Sequence, residues 1–95
     1  MTNQNVLNFL RETLPHGEYY VYGEDIVMSH SELAGYILGR ICEENVYISA
    51  HHEEGYCDID VTYNVSEGVL TVNRSIRTSD DEYGYELIGR LETTE

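Results

Sequence analysis

The sequence predicts an α+β fold, in which an antiparallel sheet of three to five strands is covered on one face by two or three helices. Residues 46–77 show the period-two alternation of apolar and polar residues that is typical of half-buried strands. Before and after this stretch, apolar residues recur at helical spacing. A sheet with one apolar face needs a cover, and we expect the helices to supply it. The 95 residues are expected to form one domain, residues 1–95.

The N-terminal part of the chain predicts one helix and a strand-rich segment. Apolar residues recur near helical spacing before the proline at position 15, at Val6, Phe9, Leu10 and Leu14. Residues 18–22 then combine tyrosines with a β-branched valine, and a Gly-Glu-Asp turn leads to the apolar run 26–28. We expect a short amphipathic helix, followed by either a hairpin or one bent strand.

A second helix is expected over about residues 30–44. Ser29, followed three residues later by Glu32, is a capping-box pattern, in which each side chain hydrogen-bonds to the backbone of the other residue. Apolar residues then recur every four positions and would share one face of the helix: Leu33, Ile37 and Ile41.

Three consecutive antiparallel strands are predicted in the middle of the chain, over residues 46–50, 56–65 and 69–77. Four-residue loops between them keep the apolar positions of all three strands on the same face. The register that follows places three side chains in one row: Ile48, Ile59 and Ile76.

Two arginines have defined places in this predicted register. Arg74 falls on the apolar face opposite Val61, where it needs a bulge or a buried carboxylate partner. Arg77 falls opposite Asp58 on the polar face, where it would neutralise part of the negative charge.

A third helix is expected at the C-terminus. Residues 79–82 combine a capping serine with three acids, which favour the first turn of a helix. Tyr83, Leu87 and Leu91 would then share one helical stripe. Gly84 and Gly89 are poor helix formers, however, and the alternation of tyrosine and leucine at positions 83, 85 and 87 also fits a strand.

The charge of the chain excludes several functions. Eighteen Asp and Glu residues against five Arg and no Lys leave a net charge of −13. Direct binding of nucleic acid needs cations for the phosphates, and an anionic membrane surface would repel this chain. No apolar run reaches the roughly 20 residues that span a bilayer, and the first residues do not have the pattern of a signal peptide. We expect a cytoplasmic protein that is a monomer or a weak dimer.

The acids are concentrated in the C-terminal half. Residues 1–40 hold five acids and two arginines, a net charge of −3, whereas residues 41–95 hold thirteen acids and three arginines, a net charge of −10. Residues 41–73 hold seven acids and no Lys or Arg. Exposed tyrosines are expected beside these acids, at Tyr47, Tyr56, Tyr83 and Tyr85. The candidate partner-binding residues are Glu53, Glu54, Asp58, Asp60, Glu67, Asp80, Asp81, Glu82, Tyr56 and Tyr83.

Neither a cofactor nor a catalytic site is predicted. His51, His52, Glu53, Glu54, Cys57 and Asp58 include zinc-ligand types, but their spacing matches no closed zinc pattern, and His51 and Cys57 would point to opposite faces. Cys42 and Cys57 are expected as inert thiols beside the core. Adjacent carboxylates on an open sheet lack the walls that shift pKa values apart, so general acid–base catalysis is not expected.

In size, acidity and mixture of elements, the chain resembles the class of small acidic inhibitors that phages encode. Anti-CRISPR proteins, anti-restriction proteins and the uracil-DNA glycosylase inhibitor belong to this class. The resemblance rests on the carboxylates of the predicted sheet and loops, Glu53, Glu54, Asp58, Asp60, Glu67, Asp80, Asp81 and Glu82. It implies a host-cell protein that binds a CRISPR effector complex or another phage-defence nuclease and blocks its nucleic-acid site, by nucleic-acid mimicry and without catalysis.

Two other functions remain open at this point. An immunity or antitoxin-type protein, which masks one cognate nuclease toxin, is also small and acidic. A small metal-dependent hydrolase or metal-binding module would use four of the clustered residues: His51, His52, Glu54 and Asp58.

Overall fold

The chain forms two helices and one six-stranded antiparallel sheet in the computed structural model, which describes residues 3–41, 45–55, 57–77 and 82–92. The strand order is β2-β1-β3-β4-β5-β6, and every pair of neighbours is antiparallel. The α+β class is therefore confirmed, but the sheet has more strands than the three to five predicted. The elements in chain order are α1 (Asn3–Thr13), β1 (Glu18–Val21), β2 (Ile26–Ser29), α2 (His30–Arg40), β3 (Val46–His52), β4 (Cys57–Asn64), β5 (Val69–Arg77) and β6 (Tyr83–Glu92).

The additional strands lie at the two edges of the sheet. At one edge, β1 and β2 form a hairpin, which decides between the two alternatives for residues 18–28. At the other edge, β6 pairs with the whole of β5, so the predicted C-terminal helix is wrong. Pairing satisfies the backbone groups of β5 that a helix would leave open. A side chain at Gly89 would also collide with Thr13 and Phe9, so this glycine lets α1 approach β6 closely.

The three central strands are confirmed, but the predicted register is wrong by two residues at both hairpins. Ala50 lies opposite Ile59, and Ile59 lies opposite Arg74, so Ile48, Ile59 and Ile76 do not share a row. In the β4–β5 turn the loop is residues 65–68, because Gly68 has a φ of 67° that favours glycine in the last loop position. A shift of two residues keeps every side chain on its predicted face.

His52 explains the two-residue shift of register at the hairpin between β3 and β4. It belongs to β3 and not to the loop, because it pairs with Tyr19 of β1 as well as with Cys57 of β4. Its ring stacks on Tyr19 with the centroids 4.8 Å apart, and its Nε2 donates a hydrogen bond to the carbonyl of His16 at 2.9 Å.

The prediction for Arg74, a bulge or a buried carboxylate partner, is met only in part. Its guanidinium forms an ion pair with Glu86 on β6, and a bulge between Val72 and Asn73 interrupts the β5–β6 ladder nearby. The carboxylate partner is half-exposed and not buried. Arg77 does not lie opposite Asp58, because the β4–β5 register brings Ser75 to Asp58.

The core joins apolar side chains of both helices to alternate side chains of the strands. The capping box of Ser29 and Glu32 is confirmed at the start of α2, but this helix ends at Arg40 and not at residue 44. Residues 42–44 lie outside the described part of the chain. That the helices cover one face of the sheet stays a prediction. The core residues are Val6, Leu10, Leu14, Tyr19, Val21, Leu33, Ala34, Ile37, Val46, Ile48, Ala50, Ile59, Val61, Leu70 and Val72.

Candidate partner-binding face

The strands that supply the core carry polar side chains at the alternate positions, and these form the opposite face of the sheet. We call this surface the polar face. Cross-strand partners in a sheet point to the same side, so the register brings these residues together. They are Tyr22, Tyr47, Ser49, His51, Asp58, Asp60, Thr62, Thr71, Asn73, Ser75 and Tyr85.

Asp58 and Asp60 lie side by side near the middle of the polar face. They are two residues apart on β4, which separates them by roughly 6–7 Å along the strand. Within residues 41–73 there is no Lys or Arg, so β3 and β4 offer no cation of their own to pair with these carboxylates.

Asp58 is held in place by hydrogen bonds to three other segments of the chain. Its Oδ1 accepts a hydrogen bond from the hydroxyl of Tyr22 at 3.0 Å and lies 3.1 Å from Nδ1 of His51. Its backbone N–H donates to the hydroxyl of Ser75 at 2.8 Å. Burial and the hydrogen bond to Asp58 raise the pKa of Tyr22, so this hydroxyl stays protonated and remains a donor at neutral pH.

Asp60 is far less accessible, with only 9% of its surface exposed. Its Oδ1 accepts a hydrogen bond from Ser49 at 2.8 Å, and Tyr47 also bonds to it. Burial first, and then the charge and hydrogen bond of Asp60, raise the pKa of Tyr47. The two carboxylates of β4 therefore differ, because that of Asp58 is half-exposed and that of Asp60 is covered.

Tyrosines are the most exposed large side chains of the polar face. Tyr47 is 66% exposed and Tyr85 is 62% exposed, as the sequence analysis expected for both. Tyr22, which the sequence analysis did not select, is also exposed. The alternation of tyrosines at positions 20 and 22 was the signal that could have found it, because it places both on one side of β1.

The remaining candidate residues lie at the ends of the sheet. Glu53 and Glu54 are exposed in the turn between β3 and β4, and Glu67 is exposed in the turn at the opposite end of β4. Glu82 is exposed just before β6. Tyr83 is the first residue of β6, and its side chain is outside the described part, as are the whole of Tyr56, Asp80 and Asp81.

A groove beside the polar face already contains an arginine bound by a tyrosine. The Arg40 guanidinium lies over the Tyr36 ring, with Cζ 5.8 Å from the ring centroid, and also donates to the Tyr36 hydroxyl at 3.0 Å. That hydroxyl donates in turn to Glu24 at 3.1 Å. Tyr22 and Tyr47 line the same groove. A tyrosine next to a carboxylate thus accommodates a guanidinium on this protein.

The clustered histidines do not form a metal site. His51 and His52 point to opposite faces, with His51 next to Asp58 and His52 stacked on Tyr19. Cys57 is a half-buried free thiol, and burial raises its pKa. Within residues 3–41, 45–55, 57–77 and 82–92, no three His, Cys, Asp or Glu side chains are arranged to hold a metal ion.

No family model matches this chain, and no curated protein or solved structure is significantly similar to it. Among the described residues, no helix is long and apolar enough to cross a membrane.

Proposed function

We propose that this protein is a non-catalytic inhibitor that binds a basic nucleic-acid-handling protein and blocks its nucleic-acid site. The targets that fit best are a CRISPR effector complex or another phage-defence nuclease. The observation that carries the proposal is the polar face, where Asp58 and Asp60 lie among exposed tyrosines and the two central strands β3 and β4 contain no Lys or Arg.

The charge of the face selects the partner. A protein that grips nucleic acid presents Lys and Arg to the phosphates, and these same side chains pair strongly with carboxylates. Glu53 and Glu54 at one end of β4 and Glu67 at the other extend the negative charge over about 26 Å, the length of eight strand residues. This length supports mimicry of a short stretch of nucleic-acid backbone.

The tyrosines supply the contact area. Tyr47 and Tyr85 are exposed, rigid and amphipathic, and tyrosine is enriched among the residues that dominate binding energy. Guanidinium groups bind to tyrosine rings, as Arg40 does to Tyr36 within this chain. Arginines of the partner are therefore expected to lie across these rings and next to Asp58.

A competition experiment tests the proposal. Three purified proteins serve as probes: a CRISPR effector with its guide RNA, a restriction endonuclease and a nuclease toxin, each with and without bound DNA. We expect binding to the effector or the endonuclease, lost when DNA is bound first. Binding to the toxin alone would instead indicate an immunity protein. Simultaneous binding of inhibitor and DNA without loss of affinity would refute the blocking mechanism, and no binding to any of the three would refute the proposal.

A pair of charge variants tests the location of the interface. Asp58→Asn with Asp60→Asn keeps the hydrogen-bond acceptors of both side chains and removes two charges. The matched control, Glu12→Gln with Glu32→Gln, removes two charges from the helices and keeps the capping box, because glutamine serves in its third position as glutamate does. The first pair should slow association about tenfold and weaken its salt dependence, and the control should do neither. Equal effects of the two pairs would place the interface elsewhere.

A further inference from the structure

The outer edge of β6 is the longest open edge of the sheet. Among the described residues, β6 pairs with β5 on one side and with no strand on the other. It runs for ten residues, whereas β2 at the opposite edge has only four. Proteins commonly shield such edges, since unpaired backbone groups serve as a template for another strand.

The two acids that belong to β6 are each paired with an arginine. Three of the five arginines, Arg74, Arg77 and Arg90, belong to β5 and β6. Glu86 pairs with Arg74, and Glu92 pairs with Arg90 at 2.7 Å. A second copy approaching this edge therefore meets little repulsion from the acids within β6, with Glu82 lying just before the strand, and the acids of β4 are separated from it by the width of β5.

Apolar side chains border the edge on the polar-face side. Tyr85 is 62% exposed and Leu87 is 56% exposed, and both project to the same side of β6. Ile88 is the extra residue of a bulge in β6, which leaves residues 83–87 as the straight part of the strand before it.

We propose that two copies of this chain associate through β6, which pairs with itself antiparallel about a two-fold axis at Tyr85. In this register Tyr83 lies opposite Leu87 of the second copy, Gly84 lies opposite Glu86, and Tyr85 lies opposite itself. Large side chains meet large side chains, and no two like charges are directly opposed. The two polar faces then form one continuous surface.

The chemistry of the edge favours a second copy over a basic partner strand. A basic strand is attracted by uncompensated carboxylates, and both acids within β6 are already paired with arginines. Pairing five residues on each side buries less than the roughly 1,200 Å² of the smallest stable interfaces, so the dimer is weak. Its strength depends on salt, because each copy carries a net charge of −13.

Sedimentation of the full chain without any partner tests the association. Raising the ionic strength from about 0.01 M to about 0.15 M shortens the screening length from about 30 Å to about 8 Å and should strengthen the dimer. Binding of a basic protein to the polar face should weaken under the same change, so the two interactions respond to salt with opposite signs. The absence of dimer at every salt and protein concentration would refute the pairing and leave the inhibitor proposal untouched.

Two lysine variants locate the interface. Tyr85→Lys places two like charges opposite each other at the two-fold axis and should weaken the dimer about tenfold or more. Val27→Lys, at an exposed position of the other edge strand, makes the same change of net charge and should leave the dimer as it is. A dimer that Val27→Lys weakens and Tyr85→Lys does not would overturn the assignment to β6.

Cross-linking tests the register. Paired Cα atoms of an antiparallel ladder lie about 4.5–5.5 Å apart, which is within the range of a disulfide. With Cys42 and Cys57 both replaced by serine, Tyr85→Cys should form an intermolecular disulfide on mild oxidation, and Leu87→Cys should not. Equal cross-linking of the two variants, or preferential cross-linking of Leu87→Cys, would refute the two-fold at Tyr85.

Discussion

The two faces of the central strands differ in whether their side chains contribute to the stability of the fold or to the choice of a partner. On the core side of β4, Ile59 and Val61 are almost completely buried. On the other side, Asp58 is half-exposed and bonded to Tyr22 and His51. Burial of apolar surface stabilises the fold, whereas charges on an open face contribute little to stability and much to the choice of partner. Adjacent residues of β4 therefore serve different ends, the inward-facing ones stabilising the fold and the outward-facing ones recognising a partner.

Asp60 is the exception that sharpens this contrast. It lies on the polar face but is covered by its neighbours and hydrogen-bonded to Ser49 and Tyr47. We interpret it as the residue that holds Tyr47 in place for binding, and Asp58 as the carboxylate that a partner reaches.

Truncation in the core should have the largest effect on stability. Ile59→Ala removes buried apolar volume in the middle of the sheet and should lower the free energy of unfolding by about 2–5 kcal/mol, as measured in urea. Asp58→Ala, at the adjacent position on the polar face, should cost less than about 1 kcal/mol. Similar losses for the two variants would break the distinction between the faces.

Asp60→Ala should have the next largest effect. It leaves the half-buried hydroxyl of Ser49 without its acceptor, whereas the exposed Tyr47 hydroxyl can bond to water, and the loss at Ser49 should lower the free energy of unfolding by about 1–3 kcal/mol. The pKa of Tyr47, which Asp60 helps to raise, should fall towards that of free tyrosine in an NMR titration. An unchanged Tyr47 pKa would mean that Asp60 does not hold this ring.

Ser29→Ala tests how the capping box supports the core residues of α2. Loss of the cap should lower the free energy of unfolding by about 1 kcal/mol. The hydrogen bonds of Ser29 lower the pKa of Glu32. This contribution is complete above the ordinary glutamate pKa of about 4.3, and it disappears as the pH falls through the lowered value. The backbone N–H of Ser29, which lowers the pKa of Glu32 most, remains in Ser29→Ala, so this variant should flatten only part of the loss of stability below about pH 4.3 in urea titrations. A pH dependence identical to that of the unmodified chain would contradict this role.

The smallest effect is expected for an exposed ion pair at the margin of the polar face. Arg90→Ala removes the partner of Glu92, and both side chains are about half-exposed. The change in the free energy of unfolding should be below about 0.5 kcal/mol and should vanish at high salt. A loss above about 1 kcal/mol would show that charge on this face does contribute to stability.

For the candidate site, alternation in the sequence is enough to place Asp58, Asp60 and Tyr47 on one face, because strand periodicity is local. It does not predict that Asp60 is covered, since Ser49 and Tyr47 come from another strand. Tyr22 was missed because its neighbour Asp58 is 36 residues away along the chain. Contacts between distant segments decide accessibility, and a local pattern carries no information about them.

For the fold, the sequence alone determined the face on which each side chain of the three central strands lies and the residue at which α2 begins. The first depends on the period of two and the second on the capping box, and both act within a few residues. Only the tertiary structure decided the register of the hairpins and the form of the C-terminus. His52 joined β3 because it stacks on Tyr19, and residues 83–92 became a strand because β5 offered a backbone edge to pair with. These choices compare the free energies of contacts between separate segments, so they arise only when the whole chain is folded.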